Sequence, residues 1–370
     1  MTSEKLVVKI GTASISRPER DPRPGLDEDR IQALAEELTA LQRGGRRIIL
    51  VSSGAIGAGM DVFGWKERPS RLADKQAAAA VGQPVLMEAY KRAFGARGVT
   101  TAQVLLSRAD LEDRERYLNA RNTLEALLDR GVLPILNEND TVATEEIRFG
   151  DNDTLAALIA AKTSADRLFL LTDVEGLLTN PGSGGRLLPE VFQITPDVEA
   201  LVQSGTGSKK SAGGMAAKIA AARLAMASGV EVWIASGKRA GVVTEILEGR
   251  GLGTRFQPRE EALNARRRWI AGLRPQGVLH VDQGAVAALV QGKKSLLPSG
   301  VGRIEGRFAP GDPVRVVGPD GREVARGLAA YSSAEVQKIK GRKTSELSEL
   351  LKRPDPPQEV IHRNNLAVLA

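Results

Sequence analysis

Along the first 255 positions the chain alternates between two textures. Short, continuous apolar runs (KLVVKI, RRIILVSS, VTTAQVLLS, VLPILNEND, RLFLLTD and VEVWIASG) predict buried strands. Between them lie stretches with helical spacing. In Asp27–Gln42 the apolar positions Ile31, Leu34, Ala35, Leu38 and Leu41 recur three and four residues apart. Asp27, Glu28 and Asp29 suit that helix's start, and Gly44-Gly45 stop it. Further helices are predicted over Ala73–Phe94, Arg114–Arg130, the run DNDTLAALIAAKTSA and Gly213–Ser228. Repeated βα units with continuous apolar strands predict an α/β fold, a mainly parallel sheet sandwiched by helices. Ser16–Gly25, rich in Arg and Pro, reads as a loop. The long, glycine-rich Asn180–Lys210 is expected to include mobile loops near a site.

Beyond a connector helix, EEALNARRRWIAG, the texture changes. GVLHVDQGAVAALVQG, SLLPSGVGRIEG, DPVRVVGPDGREVARG and LAAYSSAEV read as short strands, with one short helix at Ala285–Gln291. Asp320-Gly321 between two β runs is a hairpin signal. This grammar predicts a small β-barrel. The chain is thus divided into a first domain at 1–258, a linker helix at 259–275, a second domain at 276–356 and a tail at 357–370.

Composition narrows the classes. A length of 370 residues fits two or three domains at about 150 residues each. No run reaches the ~18 apolar residues of a membrane helix, and MTSEKLVVKI has no secretory pattern. With no cysteine, disulfides, thiolate catalysis and Cys-based zinc sites are excluded, and a cytoplasmic location is expected. The two histidines, His280 and His362, come late, so a Ser-His-Asp triad or a His-rich metal site would need one of them. The net charge of +7 is uneven. From Arg255 onward 20 Lys and Arg face 12 Asp and Glu, a net of +8, which leaves −1 for the rest. A near-neutral module precedes a basic one, whose charge reads either as a solvated face or as a polyanion-binding face.

Neither a Walker A loop nor G-x-G-x-x-G occurs. Glycines instead follow strands, at Gly11 and at Gly54, Gly57 and Gly59, or precede a helix, at Gly213-Gly214. In open α/β sheets ligands bind at the carboxyl ends of strands, where glycine lets backbone N–H groups approach an anion. Lys9 lies inside an apolar strand, a costly place unless its ammonium meets a charged ligand or the strand is at an edge. Lys218 lies one turn into the helix after Gly213-Gly214, where a solvated lysine is the alternative. Asp140 in NEND and Asp151, Asn152 and Asp153 in GDND, with Asn137 and Asn139, suit an ammonium group, a metal or a lysine, or serve as helix caps. Thr172-Asp173 end a strand where a turn contacting base or ribose is expected.

The stretches VVKIGTASI, VSSGAIGAG, LNENDTVAT, FGDNDTLAALIA, LLTDVEGLLT and AGGMAAK, followed by GVLHVDQGAVAAL, SLLPSGV and GDPVRVV, resemble the bacterial glutamate 5-kinases over nearly the whole chain. VSSGAIGAG with NEND and GDND differs from the K-x-G-G opening of acetylglutamate kinases and the K-F-G-G-T-S of aspartokinases. The resemblance implies an amino-acid-kinase-like sheet domain followed by a PUA-like β-barrel. It also implies ATP- and Mg²⁺-dependent phosphorylation of the side-chain carboxylate of L-glutamate, the first step of proline biosynthesis. Carried over residue by residue, Lys9, Lys218 and Asp153 form the catalytic set, and Ser53, Asp140 and Asn152 bind glutamate. Lys9, Gly11, Thr172, Asp173 and Gly213, Gly214, Met215, Ala216, Ala217 and Lys218 bind ATP. It assigns no metal ligands. Ala212 stands where the family usually has Thr. Proline as feedback inhibitor, a downstream reductase for the labile acyl phosphate and a homo-dimer or homo-tetramer are further implications. PUA-like modules elsewhere bind RNA, which the +8 charge permits and the scarcity of aromatics (Tyr331 is one of few) disfavours. Three alternatives stay open: a same-fold kinase for another small acid, an RNA-binding protein on a kinase-like scaffold, and an amino-acid sensor without turnover.

Overall fold

The computed structural model describes residues 4–17, 25–142, 152–179, 185–203, 214–258, 267, 270, 271, 273–292, 294–353 and 356–369. The chain divides into two compact units, Glu4–Arg259 and the part from Glu260 onward.

The first unit runs β1 (Lys5–Ile10), α1 (Thr12–Ile15), α2 (Glu28–Arg43), β2 (Arg47–Ser52), α3 (Ala55–Phe63), α4 (Leu72–Gly95), β3 (Thr101–Leu106), α5 (Arg108–Glu112), α6 (Arg114–Asp129), β4 (Leu133–Glu138), α7 (Asn152–Lys162), β5 (Arg167–Thr172), β6 (Glu190–Val191), α8 (Pro196–Gln203), α9 (Met215–Ala227), β7 (Glu231–Ser236), α10 (Val242–Leu247) and β8 (Thr254–Phe256). The strands form one sheet in the order β3-β4-β2-β1-β5-β7-β8-β6. Pairing is parallel except between β7 and β8.

Strand periodicity sorts the side chains to two faces. Val7, Ile49, Val51, Leu168 and Leu170 pack with Leu155 and Ile159 of α7 and Ile219 and Ala222 of α9. Leu6, Val8, Ile10, Ile48 and Leu50 pack on the opposite face with α2 and α4. Lys9, between Val8 and Ile10, therefore belongs to the face covered by α7 and α9.

Two segments differ from the expectations. GAIGAG, read as a glycine turn, opens α3, because α3 packs on α4 so closely that only glycine fits at the crossing. A Cβ on Gly59 would lie 1.8 Å from Ala78 O, and one on Gly82 1.8 Å from Ala55 O. Within Asn180–Lys210, expected to include loops, β6 and α8 also form, since Val191, Val198 and Leu201 reach the core. The rest of that stretch lies in part outside the described residues, as do most of Ser16–Gly25 and of the linker helix.

The second unit holds β9 (Gly277–Val281), α11 (Gln283–Val290), β10 (Val301–Gly306), β11 (Pro313–Val317), β12 (Glu323–Leu328), α12 (Ser333–Ile339), α13 (Leu347–Leu350) and β13 (Leu366–Val368). Its five strands pair in the order β10-β9-β11-β12-β13. Asp320-Gly321 joins the antiparallel pair β11–β12. The stretch set apart as a tail supplies β13, which pairs with β12. LAAYSSAEV, read as a strand, instead leads into α12. Ser332 accepts from Glu335 N while Glu335 Oε2 accepts from Ser332 N at 2.8 Å, a reciprocal cap that commits the chain to a helix. Ser332→Ala is expected to lower stability by about 1 kcal/mol in denaturant unfolding, as loss of an N-cap does.

Candidate active site

The carboxyl ends of the strands gather the chemistry. Lys9 pairs on one side with Val51 of β2 and on the other with Leu170 of β5. β1 is thus central, and the edge-strand explanation of this lysine is overturned. Only 3% of Lys9 is exposed. Its ammonium meets the carboxylate of Asp153, Nζ to Oδ1 2.6 Å. Asp153 is fully buried in the first turn of α7, and its other oxygen, Oδ2, is 3.1 Å from Lys218 Nζ. Lys218, in the first turn of α9, is buried as well, so it is no solvated helix lysine.

Two ammonium groups thus share one carboxylate where solvent is scarce. The opposite ends of the strands provide the contrast. There Lys5 Nζ lies 2.5 Å from Glu125 and Arg47 3.1 Å from Glu125 and 2.6 Å from Asp129, cations and carboxylates in matched numbers. Burial by itself would raise the Glu125 carboxyl, but Lys5 and Arg47 hold it below the usual carboxylate range.

Asn152 precedes Asp153 and does not spend its side chain on capping α7. Its Nδ2 donates to Ser53 Oγ at 2.9 Å and to Asn137 Oδ1 at 2.8 Å. Successive residues at one helix start therefore face two corners: Asn152 the ends of β2 and β4, Asp153 the end of β1 and the start of α9. Ser53 follows β2, and Gly54, in the left-handed region at φ +112°, turns the chain into α3. Asp140 lies two residues beyond β4, its N–H donating to Glu138 O.

Gly11 follows Lys9 closely enough that a Cβ there would sit 3.6 Å from Lys9 Nζ. Its N–H donates to Leu171 O. Thr172 ends β5, buried, its Oγ1 donating to Asp173 Oδ1 at 3.1 Å. Thr172 O accepts from Gly237 N, so the turn after β7 closes against the end of β5. Gly214 precedes α9, and Met215, Ala216 and Ala217 form its first turn with Lys218. Ala212, Gly213 and Asp151 lie outside the described residues.

Sequence reading missed the polar supports beneath this surface. Gln83 and Tyr90, seven residues apart on the core face of α4, reach Asn137 and Ser52. Tyr90 OH and Ser52 Oγ are 2.8 Å apart, and burial pushes the tyrosine hydroxyl well above its ordinary range, so it keeps its proton. On α2, Arg30 Nε donates to Gly237 O at 2.5 Å. Glu37 accepts from Thr244 N at 2.8 Å, and burial raises its carboxyl more than that bond lowers it. Only one signal was available in the sequence: polar residues at apolar-phase positions of helices.

The Amino acid kinase family model matches residues 4–236, and the PUA domain model residues 277–351. The Glutamate 5-kinase of Moorella thermoacetica is 51% identical over 99% of this chain and 97% of its own length. That of Gloeobacter violaceus is 52% identical over 99% of both. Among solved structures, a carbamate kinase from Giardia lamblia bound to AMP-PNP aligns with a TM-score of 0.51 at 18% identity, over 70% of this chain and 99% of its own. That last likeness concerns the fold alone. With both family models matched in order and half of all positions shared end to end with these relatives, the chain belongs to the glutamate 5-kinases, an amino acid kinase unit followed by a PUA domain.

Proposed function

We propose that the Lys9–Asp153–Lys218 cluster receives the transferring phosphoryl group of ATP, and that Ser53, Asn152 and Asp140 receive L-glutamate beside it. The reaction is ATP-dependent phosphorylation of the side-chain carboxylate of L-glutamate to L-glutamyl 5-phosphate, the entry to proline biosynthesis. The observation that carries the assignment is the buried pair of lysines on a single carboxylate.

The nucleophile is a carboxylate with an ordinary pKa of about 4.3, already ionised at neutral pH. No general base is required, in keeping with a first unit without histidine. The bond from the γ-phosphorus to the β,γ-bridging oxygen breaks, its electron pair leaves on ADP, and a glutamate oxygen bonds to phosphorus. The difficulty is an anion approaching a polyanion, so positioning and charge stabilisation carry the catalysis. Lys9 and Lys218 face charge that grows on the phosphoryl oxygens, in a site where little water screens it. Asp153 holds both ammonium groups in register. N–H groups at the start of α9, about Gly214, Met215 and Ala216, cradle phosphates, Gly11 leaves room for them beside Lys9, and Thr172 and Asp173 contact the nucleoside. Asp140 pairs with the substrate's ammonium.

Magnesium fits as a companion of the nucleotide. Both oxygens of Asp153 are taken by lysines, and no group of three acid or imidazole side chains gathers among the described residues. Such a donor set suits phosphate oxygens better than a bare cation, and Mg²⁺ is commonly carried on substrate phosphates. When bound, it neutralises phosphate charge. The reading extends to proline as a feedback ligand, a reductase that consumes the acyl phosphate, a homo-dimer or homo-tetramer, and the cytoplasm as the place of an ATP-consuming biosynthetic step. RNA as a partner of the basic unit has weaker support.

Trapping the acyl phosphate with hydroxylamine tests the reaction. Hydroxamate is expected with ATP, Mg²⁺ and L-glutamate, and not with aspartate or N-acetylglutamate. ADP release without hydroxamate would replace glutamate by another acceptor. No turnover with any acid, despite ATP binding, would leave the sensor and RNA-binding readings.

A further inference from the structure

Two polar side chains besides the Tyr90–Ser52 pair lie below the glutamate corner, in the largely apolar layer between α4 and the sheet. Gln83 is 9% exposed and Asn137 4%. They connect to Asn152 and Ser53 in an unbroken series. Asn137 Nδ2 donates to Gln83 Oε1 at 2.9 Å, and Asn137 Oδ1 accepts from Asn152 Nδ2 at 2.8 Å. Asn152 Nδ2 donates onward to Ser53 Oγ at 2.9 Å.

The direction of this series does not depend on how the amide ends are drawn. The backbone N–H of Glu138 can only donate, and it points at Asn137 Oδ1 at 2.9 Å and Asn152 Oδ1 at 3.3 Å. The Asn137 atom facing it must be oxygen. Its nitrogen is then turned to α4, where an acceptor is required, and Gln83 Oε1 supplies it. With Asn152's oxygen on the same N–H, its nitrogen must face Ser53. Ser53 Oγ accepts there, so its own hydrogen is left to be donated. A hydroxyl prepared as a donor matches a carboxylate.

We propose that Gln83 is a positioning residue for glutamate. The Glu138 N–H sets the polarity of the Asn137–Asn152 amide pair, and the Gln83 carbonyl oxygen holds it there by accepting the Asn137 N–H that this polarity turns toward α4; the pair in turn presents Ser53 as a hydrogen-bond donor to the substrate's carboxylate. This rests on the reading above that Ser53 and Asn152 bind glutamate. Gln83 touches no reactant. It acts by satisfying the Asn137 NH₂ in a buried layer, where a donor left without its acceptor is costly and loosens the hold on the amide's orientation.

The test is steady-state kinetics on the full chain, with glutamate and ATP varied separately, for Gln83→Met, Gln83→Glu and Ser53→Ala. Gln83→Met keeps the length and removes the acceptor; it is expected to raise the KM for glutamate about tenfold, with the KM for ATP within about twofold. Gln83→Glu keeps an acceptor oxygen and is expected to stay within about threefold of the parent for both substrates. Ser53→Ala is expected to match Gln83→Met. If Ser53→Ala raises the glutamate KM and Gln83→Met does not, the relay is overturned and the substrate assignment stands. If Ser53→Ala leaves it unchanged, the substrate assignment itself fails. Should Gln83→Met not fold, Gln83→Glu decides: a rise equal to that of Ser53→Ala overturns the relay, because an acceptor alone would not then be sufficient.

Discussion

Lys9→Ala and Lys218→Ala each lower turnover by about 10³-fold or more in hydroxamate formation, the scale of losing a preorganised charged donor in a dry site. Both variants remain folded. Removing either lysine leaves Asp153, which is fully buried, paired with the other at 3.1 Å or 2.6 Å. One of the two buried ammonium groups disappears while a lysine–carboxylate pair remains, which holds the structure but offsets less of the charge of an incoming phosphate. Asp153→Asn behaves differently. It abolishes turnover to the same degree and also lowers the thermal midpoint. Two buried ammonium groups then lose their common partner, and breaking a buried pair costs about 3–5 kcal/mol. Activity and thermal unfolding, measured on all three, separate the roles. Parent-like turnover in either lysine variant would remove it from the catalytic set. An unchanged midpoint in Asp153→Asn would show that the carboxylate does not hold the cluster together.

Gly82→Ala is the second large effect, and it acts through packing. The added methyl would lie 1.8 Å from Ala55 O and 2.3 Å from Gly59 N, both backbone atoms, so α3 and α4 must separate. Overpacking of this kind costs about 3 kcal/mol, a fall of roughly 6–12 °C in the midpoint for a unit of this size. Gly54 and Ser53 precede α3, and Gln83 follows Gly82, so the KM for glutamate rises as well. Gly95→Ala in the same helix is the control. Nothing lies within 4 Å of a Cβ there, and the substitution is expected to be neutral or mildly stabilising. A Gly82→Ala midpoint equal to that of Gly95→Ala would show that the crossing yields without cost.

These two effects arise from different levels of the chain. The lysines stand out in sequence because a charge in an apolar strand or at a helix start asks for a partner. The two glycines do not, because GAIGAG and VGQP look like ordinary turn and helix sequence until another helix is laid across them. The same division holds for α12, whose capping signal is local, Ser332 to Glu335, and lies in the sequence itself. By contrast β6, two residues long, shows no period and forms because Val191 finds the core, whereas α8 does carry helical spacing at Val198, Leu201 and Val202.

The sequence by itself determined the sheet strands, the main helices and the residue types of the candidate site, since continuous apolar runs and three-to-four spacing are properties of neighbours along the chain. It also marked Lys9 as a costly charge, while the burial of Asp153 and Lys218 appears only in the folded chain. Tertiary structure decided who meets whom. Only the central position of β1 and its register turn Lys9 toward α7 and α9. Only the start of α7 divides the work between Asn152 and Asp153. Gln83 meets Asn137 across 54 residues of chain, a separation no local pattern spans. A hydrogen bond's direction depends on which donor lies opposite, and that is settled when α4 packs on the sheet.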